Sequence, residues 1–83
     1  MKLYYYTAPW CMPCRQKKPA ARKVAAQMGA EFIEVNVDEP GAYIPSWVLG
    51  VPAVEIVDDK RARVIAQLSP DMVTAATIRK ALA

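Results

Sequence analysis

Hydrophobic and polar positions fall along this chain in short blocks, and the blocks predict its elements. Leu3–Tyr6 is an aromatic-rich run suited to a strand, and Thr7-Ala8-Pro9-Trp10 breaks it. From Pro13 to Met28 the composition turns to Gln, Lys, Arg and Ala, which favour helix. Ala21, Val24, Ala25 and Met28 fall at helical spacing on one face, and Lys17, Arg22 and Lys23 point elsewhere. Pro13 suits the first turn, where its missing N–H has no partner to lose, and Gly29 suits the position just past the end. Pro19 is the exception: it removes one helical hydrogen bond and predicts a kink. Glu31–Val37 alternates, with Ile33, Val35 and Val37 on one side and Phe32 on the other, and reads as a second strand. Strand, helix and strand in this order imply a parallel pair with a right-handed crossover.

The second half is more broken. Asp38–Pro45 is rich in turn residues, and a short helix is expected over part of Pro40–Leu49 despite two prolines and a glycine. Gly50-Val51-Pro52 punctuates. Ala53–Val57 and Ala62–Gln67 read as strands joined through the polar turn Asp58-Asp59-Lys60-Arg61, which makes a hairpin. Ser69 is suited to N-cap a last helix running from Pro70 to about Leu82, with Asp71 a favourable charge in its first turn. The fold class expected is α/β: a four-stranded mixed sheet with helices on both faces, in the order β-α-β-α-β-β-α.

Composition narrows the options. A chain of 83 residues with 54% hydrophobic and 23% charged residues reads as one globular domain over residues 1–83. No apolar run approaches the roughly 20 residues of a membrane span, and Met1-Lys2 leads into a strand rather than a secretory leader. A cytoplasmic monomer with no membrane partner is therefore expected. Histidine is absent, which removes imidazole from any acid–base, nucleophilic or metal chemistry. The net charge of +3 is unevenly spread: residues 11–30 hold five bases and no acid, and residues 31–59 hold seven acids and no base. Solvated helix faces account for this pattern, and nucleic-acid binding is disfavoured.

The chemistry lies in Cys11 and Cys14, the two cysteines of the chain, spaced as Cys-x-x-Cys. A disulfide scaffold uses more cysteines at longer spacing. A structural zinc site needs four ligands, so metal would require a dimer sharing two such pairs. The other readings are two incidental small hydrophobes near a turn, or a redox dithiol. For the redox reading the spacing has a reason. The first cysteine would sit exposed at a helix N-terminus beside unpaired N–H groups, with the second about one turn inside. The helix end favours a negative charge by roughly 0.3–1 kcal/mol, or up to ~2 when partly buried. The helix end would thus lower the Cys11 thiol below its ordinary pKa. Hydrogen bonds to its sulfur and the charges of Arg15 or Lys17 would add to this.

Trp10-Cys11-Met12-Pro13-Cys14 resembles the Trp-Cys-Gly-Pro-Cys site of thioredoxins, with Met12 in place of the glycine. Pro19 matches that family's helix-kinking proline, and Gly50-Val51-Pro52 resembles the segment that carries its cis-proline. The chain's compactness is similar to that of glutaredoxins and of the glutaredoxin-like donors of ribonucleotide reductase, and Pro70-Asp71-Met72 resembles a segment of those donors. The resemblance implies a thioredoxin-like fold and a protein-disulfide reductase. Cys11 is then the nucleophile and Cys14 the resolving thiol. Pro13 and Met12 tune the dithiol, and Trp10, Val51 and Pro52 contact substrate, Val51 through its backbone if the bond to Pro52 is cis. Trp47 is expected in the core. The resemblance implies no bound cofactor, electrons from a thioredoxin-reductase-like flavoenzyme, and ribonucleotide reductase among the recipients. Tyr5 occupies the position of the family's buried aspartate, which leaves Glu34 as the candidate proton acceptor. The absence of a Gly-Gly pair before the last helix disfavours glutathione. The competing classes are a non-catalytic binding module and a dimeric metal or iron–sulfur carrier.

Overall fold

A computed structural model describes residues 1–83. Its elements are β1 (Lys2–Thr7), α1 (Met12–Gln27), β2 (Glu31–Asn36), β3 (Ala53–Asp58), β4 (Arg63–Leu68), a 3-10 turn (Pro70–Met72) and α2 (Ala75–Leu82). The sheet order is β2-β1-β3-β4. β1 pairs parallel with β2, as a helical crossover requires, and antiparallel with β3, which forms the hairpin with β4. The expected α/β class with a four-stranded mixed sheet is therefore the one observed.

Register decides which side chains form the core. Leu3 and Tyr5 on β1 lie beside Ile56 and Val54 on β3, all on one face. Onto that face α1 lays Ala21, Val24 and Ala25, and α2 lays Ile78 and Leu82, with Leu68 and Val73 closing the cluster. Small alanines on α1 let the helix come close to the sheet, and the aromatic and branched residues of the strands fill the space.

Three expectations change. First, no helix forms within Pro40–Leu49; residues 37–52 are turns, bends and irregular chain. Pro40, Pro45 and Pro52 donate no backbone hydrogen bond, and Gly41 sits at φ 84°, so no uninterrupted stretch is long enough to repay helix nucleation. Second, both helices consequently lie on one face, not two. The other face is covered in part by the irregular segment, whose Trp47 meets Tyr6 edge-on with ring centroids 6.0 Å apart. Trp47 is half-buried on this face, outside the main core. Third, the last helix begins later than Pro70. Ser69 donates its hydroxyl to Asp71 (2.7 Å) instead of capping, and the α-helix starts from Thr74, whose Oγ1 accepts the Thr77 N–H at 3.1 Å.

Candidate redox site

α1 begins on Cys11. This residue is the N-cap, with extended backbone (φ −89°, ψ 104°), and its sulfur accepts the Cys14 N–H at 3.2 Å. Sulfur here takes the place usually held by a Ser or Asp oxygen, satisfying one orphan donor of the first turn. Met12 and Pro13 follow in the first turn, both exposed, and Pro13 withholds a donor that would have no acceptor. Cys14 completes the turn and is bridged to Cys11 by a disulfide, with Cα atoms 5.2 Å apart.

Both cysteines are covered. Cys14 is 0% exposed and Cys11 only 4%, so the expectation of an open nucleophile is corrected. Ala8, Val37 and Val51 pack around the pair and remove Cys11 from solvent. Val51 comes from the turn before β3, where the Val51–Pro52 peptide bond is cis. Its carbonyl oxygen lies 3.7 Å from the Cys11 sulfur. In the disulfide this is a contact between sulfur and oxygen; in a reduced thiol the S–H would be within reach of the same acceptor.

Beneath Cys14 lies Tyr5, fully buried, whose hydroxyl donates to the Cys14 carbonyl at 2.7 Å. Burial first, and then the charge of Glu34, push the Tyr5 phenol up to about 12, so it remains a donor throughout the neutral range. Glu34 stands next to Tyr5 across the β1–β2 register. Its carboxylate is bound to Lys18 at 2.8 Å and approached by Arg22 at 3.7 Å, and hydrogen-bonds neither cysteine. Arg15 and Lys17 do not serve the sulfur either. Arg15 donates to the Pro9 carbonyl (2.6 Å) and Lys17 to the Pro70 carbonyl (2.9 Å). The groups placed to stabilise a Cys11 thiolate are therefore the backbone N–H of Cys14 and the helix end.

Trp10 is 68% exposed at the edge of the site, and its indole N–H donates to Asp38 at 2.6 Å. It borders an apolar groove of about 220 Å³ formed with Val37, Ile44, Val48, Leu49, Gly50 and Val51. Cys11, Cys14, Trp10 and Val51 are thus brought together, with Met12 and Pro13 exposed beside them and Pro52 buried next to Val51, while Glu34 hydrogen-bonds neither cysteine. Tyr5 and Asp38 are site neighbours that sequence reading did not assign. Tyr5 had a signal, since it occupies the slot of an expected acid; Asp38 had none, because its partner lies 28 positions away.

Fold and bridged pair together put the protein in the class of thioredoxin-fold proteins carrying a Cys-x-x-Cys disulfide. Comparison with known proteins narrows the class to a family. The Thioredoxin family model matches residues 1–82, and the chain belongs to the thioredoxin family. Among curated relatives it is 33% identical to a putative thioredoxin H10 of Arabidopsis thaliana over 58 residues, 68% of this chain and 38% of that protein. It is 35% identical to a thioredoxin of Rhodospirillum rubrum over 57 residues, 65% of this chain and 55% of the relative. The matched region thus spans about two-fifths to just over half of these relatives. Among solved structures, thioredoxin 1 of Thermosipho africanus superposes with TM-score 0.69 at 24% identity, over 83% of this chain and 76% of that one. A structure described as that of a malarial protein superposes with TM-score 0.66 at 20% identity, over 99% and 97%. These two likenesses concern the fold.

Proposed function

We propose that this protein is a thiol–disulfide oxidoreductase that reduces protein disulfides through Cys11 and Cys14. The observation that carries the reading is the pair itself: two cysteines bridged across the first turn of α1, the outer one N-capping the helix and facing the Val51 carbonyl. In the reduced protein the Cys11 thiolate attacks one sulfur of a substrate disulfide. A Cys11–substrate bond forms, and the other substrate sulfur leaves as a thiol after taking a proton. Cys14 then loses its proton and attacks the Cys11 sulfur. The mixed disulfide breaks, the second substrate thiol is released, and the Cys11–Cys14 bond forms. Two electrons and two protons pass from the protein to the substrate.

Substrate would bind as an extended segment over Trp10, Met12 and Val51, with Pro13 tuning the dithiol; Pro52, expected to contact substrate, is fully buried and would not itself touch it. The reading extends to a reducing, cytoplasmic setting, a thioredoxin-reductase-like flavoenzyme as electron source and ribonucleotide reductase among the recipients. No helix is long and apolar enough to cross a membrane.

Insulin disulfide reduction with dithiothreitol tests the activity. The protein is expected to accelerate precipitation of the insulin chains, and Cys11→Ser to abolish the acceleration. Catalysis that survives in Cys11→Ser would remove Cys11 as nucleophile. A wild-type protein no faster than dithiothreitol alone would favour a binding module. Cys14→Ser, which halts after the first step, should retain substrates from a cell extract as mixed disulfides and so identify them.

A further inference from the structure

Val51 and the groove residues Val48, Leu49 and Gly50 belong to a segment without regular structure. The backbone offers it little support. Between Tyr43 and Pro52 its one backbone–backbone hydrogen bond is the local turn from Val48 N–H to Pro45 carbonyl, at 3.0 Å. Something else must hold this wall in place beside Cys11, because each loose residue carries roughly 1–2 kcal/mol of conformational entropy.

That support is Trp47. Its ring rests edge-on against Tyr6 of β1, and its indole N–H donates to Glu55 Oε2 on β3 at 2.9 Å. Glu55 is itself held by Gln67 of β4, which donates to the same oxygen at 3.0 Å. Gln67 is the register partner of Glu55, so this bond is set by strand pairing. Glu55 is half-buried and forms no ion pair. Both of its donors are neutral. A carboxylate bonded in this way is a stronger acceptor than an amide or hydroxyl oxygen. A rigid point on the sheet is thereby linked to the segment one residue before Val48.

We propose that Glu55, acting through Trp47, is a positioning residue for substrate capture: it fixes the wall formed by Val48–Val51 against Cys11. The proposal rests on the reading that this site reduces protein disulfides. Glu55 touches neither sulfur, so its loss acts on the shape of the binding wall and leaves the exchange chemistry intact.

The test uses Glu55→Leu, Glu55→Gln and Trp47→Phe, the last keeping an aromatic ring on the Tyr6 side while removing the N–H together with part of the indole. Two quantities are measured: KM and kcat for insulin reduction, and the rate of iodoacetamide alkylation of Cys11 in Cys14→Ser backgrounds. Glu55→Leu and Trp47→Phe should raise KM about tenfold, the equivalent of one lost charge-assisted hydrogen bond, with kcat within about twofold. Both should speed Cys11 alkylation several-fold as the cover loosens. Glu55→Gln, which keeps a carbonyl acceptor, should recover most of both effects. Unchanged KM and alkylation in folded Trp47→Phe would overturn the proposal, as would a fall in kcat with KM unaltered. If wild-type protein fails to reduce insulin, the functional reading falls, and the alkylation rates alone still decide whether Glu55 positions the wall. Trp47→Phe keeps the question answerable if Glu55→Leu does not fold.

Discussion

Tyr5→Phe removes one hydroxyl from beneath the resolving cysteine and leaves the rest of the core in place. The ring remains packed on Phe32, with centroids 5.6 Å apart. What is lost is the 2.7 Å hydrogen bond to the Cys14 carbonyl. A neutral hydrogen bond contributes about 0.5–1.5 kcal/mol net. Here the donor is fully buried, so no water replaces it and the upper part of that range applies. The carbonyl also lies next to the break in the helical ladder, because Pro19 cannot donate to Arg15. The expected cost is therefore about 1–1.5 kcal/mol, roughly a five- to tenfold change in the folding equilibrium. For a domain of this size it corresponds to a fall in Tm of about 5–10 °C. Urea unfolding of wild type and Tyr5→Phe, both oxidised, gives the value from the shift in midpoint at constant slope. A difference below about 0.3 kcal/mol would mean that the bond adds nothing beyond burial of the ring. A loss above about 3 kcal/mol would mean that the phenol holds more than one carbonyl.

Alkali should destabilise the protein in a defined window. Tyr5 and Tyr6 are both raised to about 12, chiefly by burial, whereas an unfolded tyrosine ionises near 10. The unfolded chain thus loses these protons first, so their contribution is complete below pH 10 and is lost as pH rises towards 12, roughly 2–3 kcal/mol for each tyrosine. Stability measured by denaturant from pH 9 to 12 should fall, less steeply in Tyr5→Phe; a flat profile would refute the burial argument. Thr74→Ala deletes the cap of α2 and should cost about 1 kcal/mol by the same measurement; no change would mean that packing of Ile78 and Leu82 alone holds the helix. Glu34→Gln should leave the pH profile of insulin reduction in place, because that carboxylate is engaged by Lys18 and Arg22 and hydrogen-bonds neither cysteine. A shifted profile would restore Glu34 as the proton acceptor.

The elements that were legible in the sequence are those whose causes are local. The face formed by Ala21, Val24 and Ala25 buries as its spacing requires, and Pro19 lies inside α1. The hairpin forms through its polar turn, with Ala62 taking the positive φ (52°) that lets the chain re-enter β4. Where local rules competed, reading failed. Pro70 and Ser69 have the residue types of a helix start, yet the chain there makes a 3-10 turn, fastened to α1 through Lys17 and the Pro70 carbonyl. The residues 40–49 contain helix formers among breakers, and the breakers prevailed once Trp47 found Tyr6 and Glu55.

By itself the sequence determined the dithiol and its setting at a helix start, because three-residue spacing within one turn brings Cys14 N–H and Cys11 sulfur together whatever the rest of the chain does. Only the tertiary structure decided what surrounds them. Val51 reaches Cys11 across 40 positions, Tyr5 lies under Cys14, and Arg15 and Lys17 spend their charge on carbonyls instead of the sulfur. Periodicity and propensity act over one or two turns, whereas these contacts depend on strand register and on which groups remained unpaired when the sheet and helices closed.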